Sequence, residues 1–214
     1  PEQLPCELDE LPGSFTPFRK KIENVPLLRP VSVPAHLPAP CTPELASDDL
    51  PALNDEFESA ADTEMRFTGG EQAALRQLKY YLHETRLVSD YKVTRNGLDG
   101  WDFSSKLSPW LAQGCLSARQ VMAELRDYEA QIGANDSTYW LYFELLWREY
   151  FQWLHYKYGH RLYHRRGIRD VNPLLTFYAE AYMRWREGTT DAPFVNAFMR
   201  QLKQTGWMSN RGRQ

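Results

Sequence analysis

Cysteine is scarce in this chain of 214 residues: only Cys6, Cys41 and Cys115, far apart. Three such thiols build neither a disulfide framework nor a zinc site, and they fit a reducing, cytoplasmic setting. No metal is expected. His155, His160 and His164 fall close together in HYKYGHRLYHRRGIR, but Gly159 breaks their helix and no acid or cysteine joins them. Long apolar runs are missing too. Nothing approaches the roughly 18–20 residues of a membrane span, and the N-terminus lacks the order of a secretion signal. Neither G-x-G-x-x-G nor G-x-x-x-x-G-K-[ST] occurs, which excludes a Rossmann or P-loop grip on a nucleotide. Strand-like alternation is almost absent.

Basic residues are scarce at the front. Residues 1–67 hold 13 acids and 5 bases, a balance of −8. The remainder holds 15 acids (28 − 13) and 20 bases (25 − 5), a balance of +5, so the net −3 hides a basic body. Such a body suits a polyanionic partner. The run with Arg161, Arg165, Arg166 and Arg169 reads as a solvated basic edge, able to neutralise phosphates without reading sequence.

Proline is concentrated rather than absent. Eleven of the 14 prolines lie in residues 1–51, and PLLRPVSVPAHLPAP can be neither helix nor central strand. Residues 1–67 therefore read as an extended arm, with one short segment, FTPFRKKIE, and an acidic stretch from Glu44 to Glu64. From Gly69 onward the pattern is helix after helix. Leu75, Leu78 and Leu82 share a face; Ser117 caps the next helix; another starts at Asp136 or Ser137. Asn172–Pro173 and Gly188 bracket a further helix, and PFVNAFMRQLKQTG ends at Gly206. The body is expected to be all-α.

Two stretches carry chemistry. Segment 137–158, about 33 Å long as a helix, bears ten aromatic residues on all sides and should be buried on most of them. Within it Glu144 and Arg148 stand four apart. An exposed pair of that kind is worth ~0.2–0.5 kcal/mol. Apolar neighbours make it instead a buried structural pair or a pair that meets something polar. In the second case a planar group could stack on Trp147 while both charges hold its edges. In FSSKLSPW, Ser108 and Pro109 read as cap and first helical residue. Ser104, Ser105 and Lys106 beside free helix amides could hold phosphate, with a plain capped helix as the alternative.

YKVTRNGLDGWDFSSKLSPWLAQGCLSARQ, STYWLYFELLWREYF and the run from PFVNAFMRQL to TGWMSNRGRQ occur in that order. Together, across 68–214, they resemble the flavin-binding helical domain of the photolyase/cryptochrome family. SSKLSPW, NDSTYW and SNRGRQ are similar to its cryptochrome-DASH subgroup. LPGSFTPFRKKIE resembles the end of that subgroup's α/β antenna domain.

The resemblance implies FAD bound in a helical bowl. It implies a photolyase-type lyase: blue light drives an electron from reduced FAD to a cyclobutane pyrimidine dimer, preferentially in single-stranded DNA. A flavin photoreceptor that binds nucleic acid without repair is the alternative; a helical module without flavin is a third. By resemblance, Tyr91 touches the flavin nucleotide, and Ser104, Ser105, Lys106, Leu107 and Ser108 cradle its phosphates. Arg148, Trp207 and Arg213 border the flavin. Glu144 faces the extruded pyrimidines, Trp147 stacks on them, and Asn210 and Arg211 lie between cofactor and strand. Glu144, Trp147 and Asn210 form the implied catalytic set. Gln214 stands where double-strand enzymes usually carry methionine, which goes with a single-strand preference.

The resemblance also implies a fragment. Residues 1–67 would be the end of the antenna domain and the interdomain linker, and 68–214 the first part of the flavin domain. A folate-type second chromophore would belong to the missing antenna domain. Half a bowl should expose an apolar face, hold FAD weakly and self-associate, although the intact protein is expected to be a monomer.

Overall fold

The computed structural model describes residues 4–32, 34–36, 67–98, 100–169 and 171–213. Cys41, Gln214, the acidic stretch and the prolines from Pro38 to Pro51 lie outside the described residues. Among the described residues all regular structure is helical. The α-helices are α1 (Phe15–Ile22), α2 (Glu71–Lys79), α3 (Tyr91–Thr94), α4 (Ser108–Ala112), α5 (Ala118–Gln131), α6 (Asp136–Tyr158), α7 (Ala179–Glu187) and α8 (Pro193–Thr205). None is long and apolar enough to cross a membrane.

Helix α6 is the axis of the fold. Its cap is Asn135, just before the expected start. The Asn135 Oδ1 accepts from the amides of Ser137 (2.8 Å) and Thr138 (2.9 Å), and Thr138 Oγ1 accepts from the Asn135 amide (3.0 Å). Three amides at the helix start are thus satisfied, those of Asn135 and Thr138 reciprocally. Asn135 Nδ2 also donates to the Ser89 carbonyl (3.0 Å), tying the helix start to the turn before α3. Ser117 caps α5 as expected, in a reciprocal box with Gln120.

Leu141, Tyr142, Leu145, Leu146, Tyr150 and Leu154 of α6 are buried, and Tyr81, Leu82, Val88, Leu125 and Tyr128 close over them. Tyr81 and Leu82 belong to a π-helical turn, Tyr80–Glu84, that continues α2. The short segment noted in the front arm forms α1 and joins the same core. Phe15 stacks on Trp147 with centroids 3.7 Å apart and planes at 12°, and meets Phe143 edge-on at 5.2 Å. Tyr150 donates to the Pro12 carbonyl (3.0 Å), and Tyr142 to that of Glu23 (3.1 Å).

Two expected starts differ. The helix placed at Asn172–Pro173 begins only at Ala179. Leu174, Leu175 and Phe177 stand in solvent, so no packing supports its first turns, and a proline cannot nucleate a helix unaided. Ser108 is the first residue of α4, with Leu107 as cap, and makes no capping bond. Helices α7 and α8 also leave Tyr182, Met183, Trp185, Phe194 and Leu202 exposed. Between them Gly188 is required: its φ is +65°, and a Cβ there would lie 2.9 Å from the Asn196 carbonyl oxygen.

Candidate functional site

Three stretches far apart in sequence meet around one cavity of about 340 Å³, near the lower end of the ~300–1,000 Å³ range of ligand pockets. Helix α3 contributes Tyr91, and Arg95 follows as its C-cap. The following loop gives Ser104, Ser105, Lys106 and Leu107, and α4 gives Ser108, Leu111 and Ala112. Helix α6 supplies Leu141, Glu144, Leu145 and Arg148. The C-terminal turn supplies Trp207, Ser209, Asn210 and Arg213.

The serine loop is held from behind. Buried Gln77 donates to the Ser105 carbonyl (3.2 Å) and accepts from the Trp101 indole N–H (3.2 Å). Trp110 of α4 donates to the Thr68 carbonyl (2.8 Å). Lys106 takes φ +56°, a conformation costing roughly 1–2 kcal/mol for a residue with a Cβ. It is buried, with its ammonium 4.7 Å above the Trp207 ring; the Arg213 guanidinium lies 5.7 Å from the same ring. Two cations thus share one indole, an arrangement favoured by the ring quadrupole.

The pairing of charges on α6 differs from the i,i+4 reading. Glu144 pairs with Arg95, not with Arg148. Arg148 donates instead to Glu149 (3.2 Å) and to the Leu111 carbonyl (3.4 Å). Arg95 also lies over Trp140, 5.4 Å from its centroid. The Tyr91 phenol is pushed up to about 12, chiefly by burial and then by the negative Glu144, with Arg95 and Arg213 opposing. It therefore keeps its proton at neutral pH and can serve as a donor. The Ser209 hydroxyl is buried without a hydrogen-bond partner, and Asn210 Nδ2 lies 3.5 Å from Asn96 Oδ1.

Among the residues singled out by sequence, Tyr91, the Ser104–Ser108 run, Glu144, Arg148, Trp207, Asn210 and Arg213 all line this cavity. Trp147 and Arg211 do not, and Gln214 lies outside the described residues. Trp147 is engaged by Phe15 and by Phe151, whose ring centroid lies 5.6 Å away. Sequence reasoning missed Arg95, Gln77 and Ser209. Arg95 stands four residues after Tyr91 on one helical turn, a spacing that could have flagged it. Gln77 and Ser209 carry no such signal. A larger cavity, about 440 Å³ between residues 22–28, α5 and α6, is lined mostly by apolar side chains, with Arg119 and Glu149, and shares only Leu145 with the first.

A helical bowl with hydroxyls, cations and an indole on its wall is the build of a nucleotide-cofactor domain. Residues 140–214 match the FAD binding domain of DNA photolyase. Cryptochrome DASH of Vibrio parahaemolyticus is 48% identical over 212 residues, covering 99% of this chain and 46% of that protein. The Xenopus laevis cryptochrome DASH is 42% identical, with 100% of this chain and 42% of that protein covered. Among solved structures, a Synechocystis cryptochrome superposes with a TM-score of 0.79 at 42% identity, over 100% of this chain and 45% of its own. A class III photolyase from Agrobacterium tumefaciens gives 0.78 at 25% identity, over 99% and 45%. The chain belongs to the photolyase/cryptochrome family, and FAD is the cofactor of its domain class. It spans about half the length of the curated relatives it matches, which carry the name cryptochrome DASH.

Proposed function

We propose that this chain is the cofactor- and strand-binding part of a cryptochrome-DASH-like photolyase acting on cyclobutane pyrimidine dimers, preferentially in single-stranded DNA. The observation that carries this reading is the convergence of the serine–lysine loop, the Glu144–Arg148 face of α6 and the 207–213 turn on one cavity. The residues present fit FAD. Hydroxyls and a buried lysine suit a diphosphate, and the unpartnered Ser209 hydroxyl awaits a polar group.

In this proposal Ser104, Ser105 and Ser108 donate to the phosphates and Lys106 neutralises them. Tyr91 adds a phenolic donor. Arg148, Trp207 and Arg213 wall the ring and exclude water. When bound, reduced FAD supplies the chemistry: absorption of blue light and donation of one electron, which the split pyrimidines return. Glu144, oriented by Arg95, accepts an N–H from the extruded pyrimidine edge. Asn210, steadied beside Asn96, lies toward the strand with Arg211. The division at residues 67 and 68, the cytoplasmic setting and the single-strand preference attached to Gln214 belong to the same proposal.

One observation favours the photoreceptor reading. Phe15 lies over the ring of Trp147 that the repair reading assigns to the lesion. Stacking on a pyrimidine there requires Phe15 or Phe151 to withdraw.

The test is dimer cleavage by the intact, flavin-loaded protein under blue light. A hydrogen bond to a charged group is worth about 1.5–3 kcal/mol, so Glu144→Gln should slow cleavage roughly ten- to hundredfold. Cleavage at the wild-type rate removes Glu144 from the reaction. A flavin-loaded wild type that leaves dimers intact supports the photoreceptor instead.

A further inference from the structure

We propose that the basic turn following α6 is a second grip on the same nucleic-acid strand. Arg161, Arg165 and Arg169 would neutralise backbone phosphates several nucleotides from the lesion. This rests on the reading of the cavity as a lesion site, but it concerns residues outside the cavity.

Charge comes first. Residues 160–170 hold four arginines and two histidines against a single acid, Asp170. Arg161, Arg165 and Arg169 are exposed, and none of them pairs with a carboxylate among the described residues. Cations in such excess over acids repel one another, which favours a further anion joining them. Shape comes second. Arg161, His164, Arg165 and Gly167 help to enclose a hollow of about 300 Å³. The turn is fastened, since Arg165 donates to the Pro173 carbonyl (3.4 Å) and Arg166 to Asn172 Oδ1 (3.1 Å). Tyr163, 79% exposed, stands among these cations. Cations interleaved with an open aromatic face suit a single strand, whose bases can stack while its phosphates are neutralised.

Position is the third argument. Helical periodicity carries the cavity stripe of α6, Leu141, Glu144 and Arg148, on to Gln152, His155 and Gly159. Gln152 and His155 are exposed, so the face remains open as far as the basic turn. Gly159 lies 15 residues (159 − 144) beyond Glu144, or about 22 Å along the axis. At ~3.4 Å per stacked nucleotide that is roughly six or seven phosphates. The arginines therefore lie within reach of a strand seated at Glu144.

The experiment is fluorescence anisotropy on the intact protein, titrated with oligothymidylates at several salt concentrations. One probe carries a central dimer with a single nucleotide on either side; the other is about 14 nucleotides long, enough to span the distance. Combined Arg161→Ala, Arg165→Ala and Arg169→Ala should lower the salt slope for the long probe by about 2, at ~0.7 per phosphate contact. Its affinity should fall at least about tenfold at low salt, while the short probe is unaffected. The triple lysine variant should keep slope and affinity, which separates lost charge from damaged folding. An unchanged slope in the alanine variant overturns the grip, and so does a wild type that binds neither probe. If damaged and undamaged long strands bind alike but the slope still drops, the grip stands and the lesion reading falls. If dimers are cleaved while slope and affinity are unchanged, the lesion reading stands and the grip falls.

Discussion

Phe15→Ala tests the docking of α1 most directly. Phe15 is 6% exposed, lies flat on Trp147 and meets Phe143 edge-on. Removing a buried phenyl ring costs about 3–5 kcal/mol, counting both lost transfer energy and the residual cavity. The two aromatic pairs add geometry-dependent terms of ~0.5–1.5 kcal/mol each, already contained in such measured totals. Helix α1 has only eight residues and can shift to close part of the hole, so the lower end, about 3 kcal/mol, is the expectation. With a urea dependence of about 2–3 kcal/mol/M, the midpoint should fall by roughly 1 M or a little more. Urea unfolding of the intact protein, followed by far-UV circular dichroism, gives the number. Near-UV dichroism reports whether the Trp147 stack is lost. Phe15→Leu refills much of the space and should cost no more than about 1.5 kcal/mol. A loss below about 1 kcal/mol for Phe15→Ala would mean that α1 does not hold α6 as described.

Asn135→Ala removes the cap of α6 and its bond to Ser89, and should cost about 2 kcal/mol: ~1 for the cap and the rest for the tether. Asn135→Ser keeps a capping oxygen and should cost clearly less by the same unfolding assay; equal losses would refute the role of the cap. Tyr91 should titrate at about 12 rather than at the ordinary 10.0, seen as an ultraviolet difference between wild type and Tyr91→Phe. Its phenol is raised in the folded state, so the stability linked to it is complete below pH 10 and is lost as pH climbs through 12. A step at the ordinary value would contradict its burial beside Glu144.

The sequence made some elements legible and hid others, for physical reasons. Ser117 and Gly206 mark helix ends because capping chemistry is local, and both do so in the structure. The start at Asn172–Pro173 was misleading because a cap signal says nothing about what packs against the turns that follow. The Glu144–Arg148 spacing pointed to an intrahelical pair, but Arg95, 49 residues away along the chain, takes the carboxylate. Tertiary partners at such separations leave no periodic trace. The assembly of the cavity was anticipated through the resemblance of three motifs. The residues that brace it, Gln77 and Trp101, act through two long-range hydrogen bonds and could not be read in advance.

The docking of α1 on α6 also bears on synthesis. Pro12 precedes its partner Tyr150 by 138 residues. At ~5–20 residues per second, the front segment would emerge from the ribosome roughly 7–28 s before that partner exists. During that interval Phe15 and Phe18 have no native surface to cover them. A chaperone able to shield two phenyl groups on a nascent chain would act at this stage, and α6 would relieve it once translated.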